Sequence, residues 1–137
     1  MAEAVRVRRE ILQEMLVHAR REPRMECCGL LAGRDDIITT IFPAHNALAS
    51  ATAFEIAPQE LFLFFRAMRD EGLKCLGLYH SHPTGDNAPS PRDIELAYYP
   101  DQVYFIISSL PSAPKPVRAF SICSGGVREF RIELVNA

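Results

Sequence analysis

The sequence predicts a single α/β (α+β) domain in which a mixed β-sheet is flanked by about three helices. Its 137 residues suit one domain with its own core, and a composition of 48% hydrophobic and 23% charged residues is that of an ordinary globular protein. Segments with helical periodicity and strand-like runs alternate along the chain, with no internal repeat or long linker. We therefore expect residues 1–137 to form one domain, in which a metal would serve function rather than folding.

The first half of the chain predicts a strand, a helix and a hairpin. The segment AVRVR suits a short edge strand. Apolar residues then recur at helical spacing up to about Arg21, and Pro23 ends that helix. CGLLAG and DIITTIF are apolar or β-branched runs separated by Gly33, Arg34 and Asp35, which indicates a hairpin.

The second half predicts further strands and two helices. FEIA is a brief strand, and Pro58 then begins a helix that ends near Gly72. LKCLGLYH is typical of a buried central strand. A short helix from Pro91 to about Tyr99 follows. The last three segments predict strands: QVYFIIS, VRAFSIC and VREFRIEL.

The second predicted helix contains LFLFF, residues 61–65, which places apolar side chains on more than one helical face. One interpretation is burial between the sheet and another element. The other is a surface for a partner, including a second copy of the chain in a homodimer. Both interpretations stay open at this point.

Charge and hydropathy restrict the partners and the location. The net charge of −2 gives no overall basic surface, and glutamates interrupt the arginines of the N-terminal quarter, so we expect no nucleic-acid binding. No apolar run approaches the roughly 20 residues of a membrane helix, and the first nine residues lack a secretory core. We expect a cytoplasmic protein that does not bind membranes, with its four cysteines reduced and mostly buried.

The stretch YHSHPTGDNAPSPRD, residues 79–93, holds the main candidates for chemistry. Ser90, Pro91 and Asp93 have the form of a helix start, with a serine cap, proline at the first helical position and an acid three residues after the cap. The capping pattern does not account for His80 and His82. Because residues two apart in an extended segment point to the same side, the two imidazoles should project together from a strand end.

These side chains fit a catalytic zinc site. Such a site uses three protein ligands, nitrogen or carboxylate oxygen, and keeps one open position. His80 and His82 supply two ligands, and Asp93 supplies the third from the firm start of a helix. Asp86, at the tip of the loop, is a rival third ligand.

A hydrolytic metal site also needs a general base, for which a nearby carboxylate is suited. Glu26 directly precedes the apolar strand CCGLLAG, so a neighbouring strand could place it beside the two histidines. Glu22, before Pro23, is the alternative. We favour Glu26.

At these residues the sequence resembles the JAMM (MPN-plus) metalloprotease family. The family pattern is a glutamate, then His-x-His, seven residues, serine, two residues and aspartate. Here it reads Glu26, His80-Ser81-His82, Ser90 and Asp93, with the spacing complete. MECCGLLAG and AHNALASATAFEIAPQEL also resemble family segments, so the likeness covers most of residues 9–134.

The resemblance implies a fold, an activity and a partner. The fold is a curved sheet of the cytidine-deaminase-like MPN/JAMM architecture. His80, His82 and Asp93 bind Zn²⁺, Glu26 is the acid/base that activates the zinc-bound water, and Ser90 helps to stabilise the oxyanion. The substrate is a ubiquitin-like or sulfur-carrier protein, cut at a peptide or isopeptide bond after its C-terminal glycines. Short loops indicate the compact prokaryotic type.

Two other functions compete with this one. A catalytically inactive MPN-type scaffold would be expected to lack one of the motif residues, and all of them are present. A zinc nucleobase deaminase would need His-x-Glu and Pro-Cys-x-x-Cys, which the sequence lacks. The identity of the substrate, the type of bond and the oligomeric state are left open.

Overall fold

Ten helices and strands follow one another in this computed structural model, which describes residues 3–136. In chain order they are β1 (Ala4–Arg8), α1 (Arg9–Arg21), β2 (Cys28–Arg34), β3 (Ile37–Ala44), α2 (Pro58–Asp70), β4 (Lys74–His82), α3 (Pro91–Glu95), β5 (Val103–Ser108), β6 (Val117–Cys123) and β7 (Gly126–Val135). Met1, Ala2 and Ala137 belong to the predicted domain but lie outside the described residues. The predicted fold class, a mixed sheet with three helices, is confirmed.

The strands of the described residues close into a barrel in the order β1-β3-β2-β4-β5-β6-β7, with β7 pairing back to β1. β1 runs parallel to both of its neighbours and buries Val5 and Val7. The prediction of an edge strand is therefore wrong. Five alternating residues show that one face is buried, but they do not show whether one edge or both edges are paired.

β2 and β3 form the predicted antiparallel hairpin. Asp35 and Asp36 make its turn, both with positive φ (54° and 60°), as a two-residue type I′ turn requires. Of the predicted turn residues Gly33, Arg34 and Asp35, only Asp35 lies in the turn, because Gly33 and Arg34 belong to β2. A Cβ atom on Gly33 would lie 1.7 Å from the carbonyl oxygen of Ile37, so the bulge next to Ala32 requires glycine.

β4 is the buried central strand that the sequence predicts, and it continues two residues further, to His82. It pairs antiparallel with β2 and parallel with β5. In this register Cys28 lies opposite His80. The start of β2 and the end of β4 therefore lie side by side, which brings Glu26 towards the two histidines.

Two apolar clusters hold β4 in place. α1 buries Ile11 and Met15 in the larger cluster, which also contains Tyr79 of β4. α2 buries Met68 in the second cluster, against which Leu78 of β4 packs. Because successive side chains of a strand point to opposite faces, β4 is anchored in both clusters at once. Burial of a side chain such as Met15 contributes about 1.5–3 kcal/mol.

The predicted strand FEIA, residues 54–57, is not formed. Its main chain bonds to a loop instead of a neighbouring strand. The Glu55 N–H donates to Asn46 Oδ1 at 3.2 Å, and the Glu55 carbonyl accepts from the Ala47 N–H at 2.8 Å. These tertiary contacts outweigh the local preference for a strand.

α2 begins at Pro58, as predicted, but its LFLFF segment is only partly buried. Phe62, Leu63 and Phe65 are 65%, 58% and 49% exposed. The prediction that the whole segment is buried is therefore wrong. A partner surface at this segment stays a prediction.

α3 ends at Glu95 and is shorter than the predicted helix to Tyr99. Pro100 disfavours a helical conformation at Tyr99, and both Tyr98 and Tyr99 are exposed, so burial does not stabilise another turn.

Within residues 3–136, none of the helices is long and apolar enough to cross a membrane.

The four cysteines are free, as predicted. Cys27 and Cys28 are buried, Cys75 is half-buried and Cys123 is exposed. Burial raises the pKa of Cys27 to about 11 and that of Cys28 to about 12. Both buried thiols are therefore protonated and unreactive at neutral pH.

Candidate metal centre

Two imidazoles and a carboxylate converge at the end of β4. His80 and His82 come from the strand itself, and Asp93 comes from the first turn of α3. The Nε2 atoms of the two histidines are 3.2 Å apart. One carboxylate oxygen of Asp93 lies 3.1 Å from His80 Nε2, and the other lies 3.0 Å from His82 Nε2. The structure thus brings together the three side chains predicted as metal ligands.

Asp86, the rival third ligand, faces His82 with its main chain. Its carbonyl oxygen lies 2.6 Å from His82 Nδ1, and its carboxylate accepts a hydrogen bond from the Ala88 N–H at 3.1 Å. A carbonyl only accepts hydrogen bonds, so Nδ1 must donate. In the neutral ring this leaves a lone pair on Nε2, pointing into the cluster. A histidine that binds a metal through Nε2 needs this tautomer.

The donor set fits a divalent cation. With a neutral His82 ring, the Nε2 lone pair and the Asp93 carboxylate are two acceptors at 3.0 Å, which repel each other. A positive charge between them makes both contacts favourable. Imidazole nitrogen and carboxylate oxygen are ligands that zinc accepts in catalytic sites.

The pKa values of the cluster reflect the same need for positive charge. Burial disfavours the charged carboxylate, yet hydrogen bonds from His80 and His82 hold the pKa of Asp93 well below its usual range. For His82, burial lowers the pKa, but hydrogen bonds to Asp93 and to the Asp86 carbonyl raise it overall. Both shifts show that the cluster favours positive charge beside the Asp93 carboxylate.

Ser90 caps α3 as predicted and orients Asp93. Its hydroxyl oxygen accepts from the Asp93 N–H at 3.0 Å, and the Asp93 carboxylate accepts from the Ser90 N–H at 2.9 Å, which completes a capping box. The backbone N–H of Ser90 is therefore occupied. Its hydroxyl hydrogen is the group that remains to donate to a substrate.

Glu26 is buried, 4% exposed, just before β2. Its Oε1 atom has no hydrogen-bond partner among the described residues, and burial raises the pKa of the carboxyl to about 7. It lines the same cavity as His80 and Asp93, whereas Glu22, the alternative base, lies at the C-terminal cap of α1. A buried polar atom normally has a partner, so the free oxygen of Glu26 fits a group that meets water or substrate.

Ser81, between the two histidines, fixes the position of β2 relative to β4. The Cys27 N–H donates to Ser81 Oγ at 2.8 Å, and the Ser81 N–H donates to the Cys27 carbonyl at 3.0 Å. Cys27, which follows Glu26, is thus hydrogen-bonded to Ser81, which lies between the histidines. This explains how a carboxylate and two imidazoles from distant parts of the sequence keep a fixed separation.

Asn46 organises the loop that covers Glu26, a role that the sequence pattern did not reveal. Its Nδ2 donates to the carbonyls of Glu26 (3.0 Å) and Ala53 (2.9 Å). Its Oδ1 accepts from the N–H groups of Leu48 (3.0 Å) and Glu55 (3.2 Å). The resemblance of this segment to the JAMM family drew attention to an asparagine here but not to its bonds, and an asparagine among small residues is also typical of ordinary turns.

A cavity of about 660 Å³ opens beside the cluster. Glu26, His80 and Asp93 line the part of it that we call the polar end. The remaining lining is largely apolar and includes Leu61 and Phe65 from α2, Leu78 from β4, and Tyr98 and Tyr99 after α3. The cavity can hold an extended peptide segment with its reactive bond at the polar end.

The carboxyl of Glu26 should make the metal-free protein less stable as pH rises. Its pKa is about 7 in the folded chain, against an ordinary glutamate value of 4.5, so the folded state binds the proton more tightly than the unfolded state. The stabilisation is complete below pH 4.5 and is lost as pH rises through 7. Linkage gives a loss on the order of 3 kcal/mol in the free energy of unfolding.

Denaturant unfolding of the metal-free protein at about pH 5 and about pH 8, on either side of that transition, measures this loss. Glu26→Gln is the matched control, because glutamine keeps the shape of the side chain but does not titrate. The difference between the two proteins isolates Glu26 from the histidines. Equal pH dependence in both would contradict the raised pKa.

Comparison with protein families gives one match over most of the chain. Residues 8–123 match the family of prokaryotic homologues of the JAB domain. Glu26, His80, His82, Ser90 and Asp93 all lie within this matched range.

Three curated relatives have named activities. A CysO-cysteine peptidase of Mycobacterium tuberculosis is 32% identical over 132 residues, which is 95% of this chain and 90% of the relative. A desampylase of Haloferax volcanii is 39% identical over 101 residues, 69% of this chain and 73% of the relative. A probable TtuB-protein conjugate cleaving protease of Thermus thermophilus is 38% identical over 120 residues, 87% of this chain and 76% of the relative.

Two solved structures share the fold. The solution structure of a Desulfitobacterium hafniense protein aligns with a TM-score of 0.85 at 36% identity, over 96% of this chain and 92% of that chain. The crystal structure of a JAB1/MPN domain protein from Archaeoglobus fulgidus aligns with a TM-score of 0.62 at 19% identity, over 94% of this chain and 96% of that chain.

Proposed function

The chain belongs to the family of prokaryotic homologues of the JAB domain, and we propose that it is a zinc-dependent peptidase or isopeptidase. In this proposal it hydrolyses the amide bond after the C-terminal glycines of a ubiquitin-like or sulfur-carrier protein, and residues 1–137 act as one catalytic domain. The observation that carries the proposal is the convergence of His80, His82 and Asp93 beside the unpartnered carboxyl of Glu26. The relatives, named for cleaving CysO-cysteine and TtuB conjugates, support the substrate class.

His80, His82 and Asp93 would hold the metal. A bound zinc ion supplies Lewis acidity, which lowers the pKa of water and polarises a carbonyl oxygen. The Asp86 carbonyl orients His82, and the capping box of α3 orients Asp93. Three protein ligands leave room for water and substrate, as a catalytic site requires.

Glu26 transfers a proton from the attacking water to the leaving nitrogen. With a pKa of about 7 it is poised to accept a proton from the attacking water and to return it to the leaving nitrogen. The water oxygen bonds to the glycine carbonyl carbon as the proton passes to Glu26. The C–N bond then breaks and the nitrogen takes that proton. The second proton of the water also passes to the nitrogen, so the products are a glycine carboxylate and a protonated amine.

Ser90 donates to the oxygen that becomes negative in the tetrahedral intermediate. Its hydroxyl is free for this purpose because its oxygen only accepts from the Asp93 N–H within the capping box. In well-studied sites, removal of one such donor costs about 2.7–4 kcal/mol of transition-state stabilisation.

The tail of the substrate enters the cavity in an extended conformation. Its apolar walls suit the side chains that precede the glycines, and two glycines pass the polar end without a Cβ to obstruct them. A folded carrier with a flexible glycine tail can present its last amide bond in this way.

A test uses carrier fusions and a chelator. Small ubiquitin-like carriers are joined through Gly-Gly either to a reporter peptide or, by an isopeptide bond, to a lysine side chain, and products are identified by mass. We expect cleavage directly after the second glycine, its loss with 1,10-phenanthroline and its return when zinc is added. Ala-Ala in place of Gly-Gly is the matched control and should be cut poorly.

Two outcomes would contradict two different parts of the proposal. Cleavage that survives complete zinc removal rejects the metal mechanism. If the zinc-loaded protein cuts neither type of fusion for any of the carriers, the substrate class is rejected.

A further inference from the structure

The loop between β4 and α3, residues 83–90, is anchored by a buried asparagine. Asn87 is 4% exposed. Its Nδ2 donates to the Lys115 carbonyl at 2.7 Å and lies 3.4 Å from the Ile106 carbonyl. The amide therefore attaches the loop to β5 and to the segment before β6.

A second buried side chain holds the same loop. Ser108, at the end of β5, is buried and donates from Oγ to the Gly85 carbonyl at 2.9 Å. The two anchored residues, Gly85 and Asn87, lie on either side of Asp86. The Asp86 carbonyl is the group that faces His82 Nδ1 at 2.6 Å.

We infer that Asn87 and Ser108 are positioning residues that set the zinc affinity of the site by holding the Asp86 carbonyl against His82. The inference rests on the proposed function, because it concerns one of the proposed ligands. Neither residue belongs to the predicted motif. Ser108 lies opposite His82 in the pairing of β4 with β5, but its hydroxyl bonds to the loop.

The physical argument starts from the imidazole ring. A neutral histidine carries its proton on either nitrogen, and only the Nδ1–H form leaves Nε2 free to bind a metal. A carbonyl fixed at Nδ1 selects that form and also fixes the rotation of the ring. Groups of this kind around a metal site typically alter its affinity about 10- to 100-fold.

The amide of Asn87 has no explanation in packing alone. A buried amide costs free energy unless its groups are hydrogen-bonded. An apolar side chain would fill the same space without needing hydrogen-bond partners. The loop also has no helix or strand of its own in residues 83–90. Its conformation at Asp86 therefore depends on the bonds to Asn87 and Ser108, together with the turn in which the Asp86 carboxylate accepts from Ala88.

The first test measures zinc dissociation constants by competition with a chromophoric chelator. We expect Asn87→Ala to weaken zinc binding about 10-fold, the lower end of the range for groups that bond to a ligand directly, and Ser108→Ala to weaken it in the same direction. Ile11→Val is the matched control. It removes a methyl group from the α1 cluster, to which no residue of the loop belongs, and should leave the zinc affinity at the wild-type value.

The second test reads the tautomer of His82 directly. Ring ¹⁵N chemical shifts of the metal-free protein are recorded at a pH at which the ring is neutral. The wild type should show the Nδ1–H form, and both alanine variants should show a mixture of tautomers. If Asn87 and Ser108 only stabilised the fold, the tautomer of His82 would be unchanged in every variant that folds.

The outcomes separate this inference from the proposed function. Wild-type zinc affinity and an unchanged His82 tautomer in Ser108→Ala and Asn87→Ala overturn the inference alone. If Asn87→Ala does not fold, Asn87→Ser and Ser108→Ala decide by the same criteria. A wild-type protein that binds no zinc overturns the proposed function and the inference with it.

Discussion

Substitution of Glu26 by glutamine is expected to lower kcat about 100- to 10,000-fold while the protein keeps its zinc. Glutamine fills the same buried space, but it cannot take a proton from water. Glu26 is not one of the three clustered side chains, so its replacement leaves the proposed ligands in place. The measurements are kcat on a Gly-Gly fusion and zinc content by atomic emission.

Glu22→Gln is the matched control for this substitution. Glu22 is the same residue type four residues earlier but lies at the end of α1, so its replacement should leave kcat unchanged. A zinc-loaded Glu26→Gln protein with wild-type activity would place the base elsewhere. Glu22 would then be the next candidate.

The local parts of the site were predictable from the sequence. Ser90, Pro91 and Asp93 follow the rules of a helix start, and the capping box is present as expected. His80 and His82 share a face because they alternate along one strand. Each of these predictions depends on neighbours within a few residues, where backbone geometry alone fixes the direction of the side chains.

The partnership of Glu26 with the histidines could not be derived from local pattern. It depends on the pairing of β2 with β4, in which Cys28 lies opposite His80 across a long stretch of chain. A strand can pair with several others at similar cost, and a shift of one residue would reverse every side chain. The apolar strand after Glu26 indicated only that a neighbouring strand could place it there. The resemblance to the JAMM family, which the family match over residues 8–123 confirms, supported that choice.

The errors in the fold prediction have the same origin. FEIA has the composition of a strand, but its Glu55 N–H donates to Asn46 Oδ1 and its Glu55 carbonyl accepts from the Ala47 N–H. β1 looked like an edge strand, but it closes a barrel by pairing with β3 and β7. Propensity describes one segment at a time, whereas hydrogen-bond partners depend on the whole topology.

The roles of Asn46 and Asn87 are the clearest case of information that the sequence does not reveal. Asn46 and Asn87 each use a side-chain amide to hold a loop beside the proposed site. Asparagine is common in loops for local reasons, such as turns that bond to their own backbone. Only the three-dimensional structure separates an asparagine that ends a turn from one that joins distant carbonyls.

Substitution of His82 by alanine is expected to weaken zinc binding by more than about 100-fold and to reduce cleavage to background. The loss of a group that only orients a ligand already costs about 10- to 100-fold, and the loss of a ligand must cost more. His80→Ala should act in the same way, because its Nε2 lies 3.1 Å from the same carboxylate. Zinc content after gel filtration and kcat on a Gly-Gly fusion are the measurements.

His45→Ala is the matched control, since His45 lies at the surface in an ion pair with Glu60 and outside the cluster. Thermal unfolding then distinguishes loss of a ligand from loss of the fold. A metal that binds only the folded state stabilises it by about 2.7 kcal/mol at about 100 times its Kd. Zinc should therefore raise the Tm of the wild type and of His45→Ala but not that of a folded His82→Ala protein. An equal rise in His82→Ala would show that the metal is held by other side chains, and the proposed ligand set would have to be abandoned.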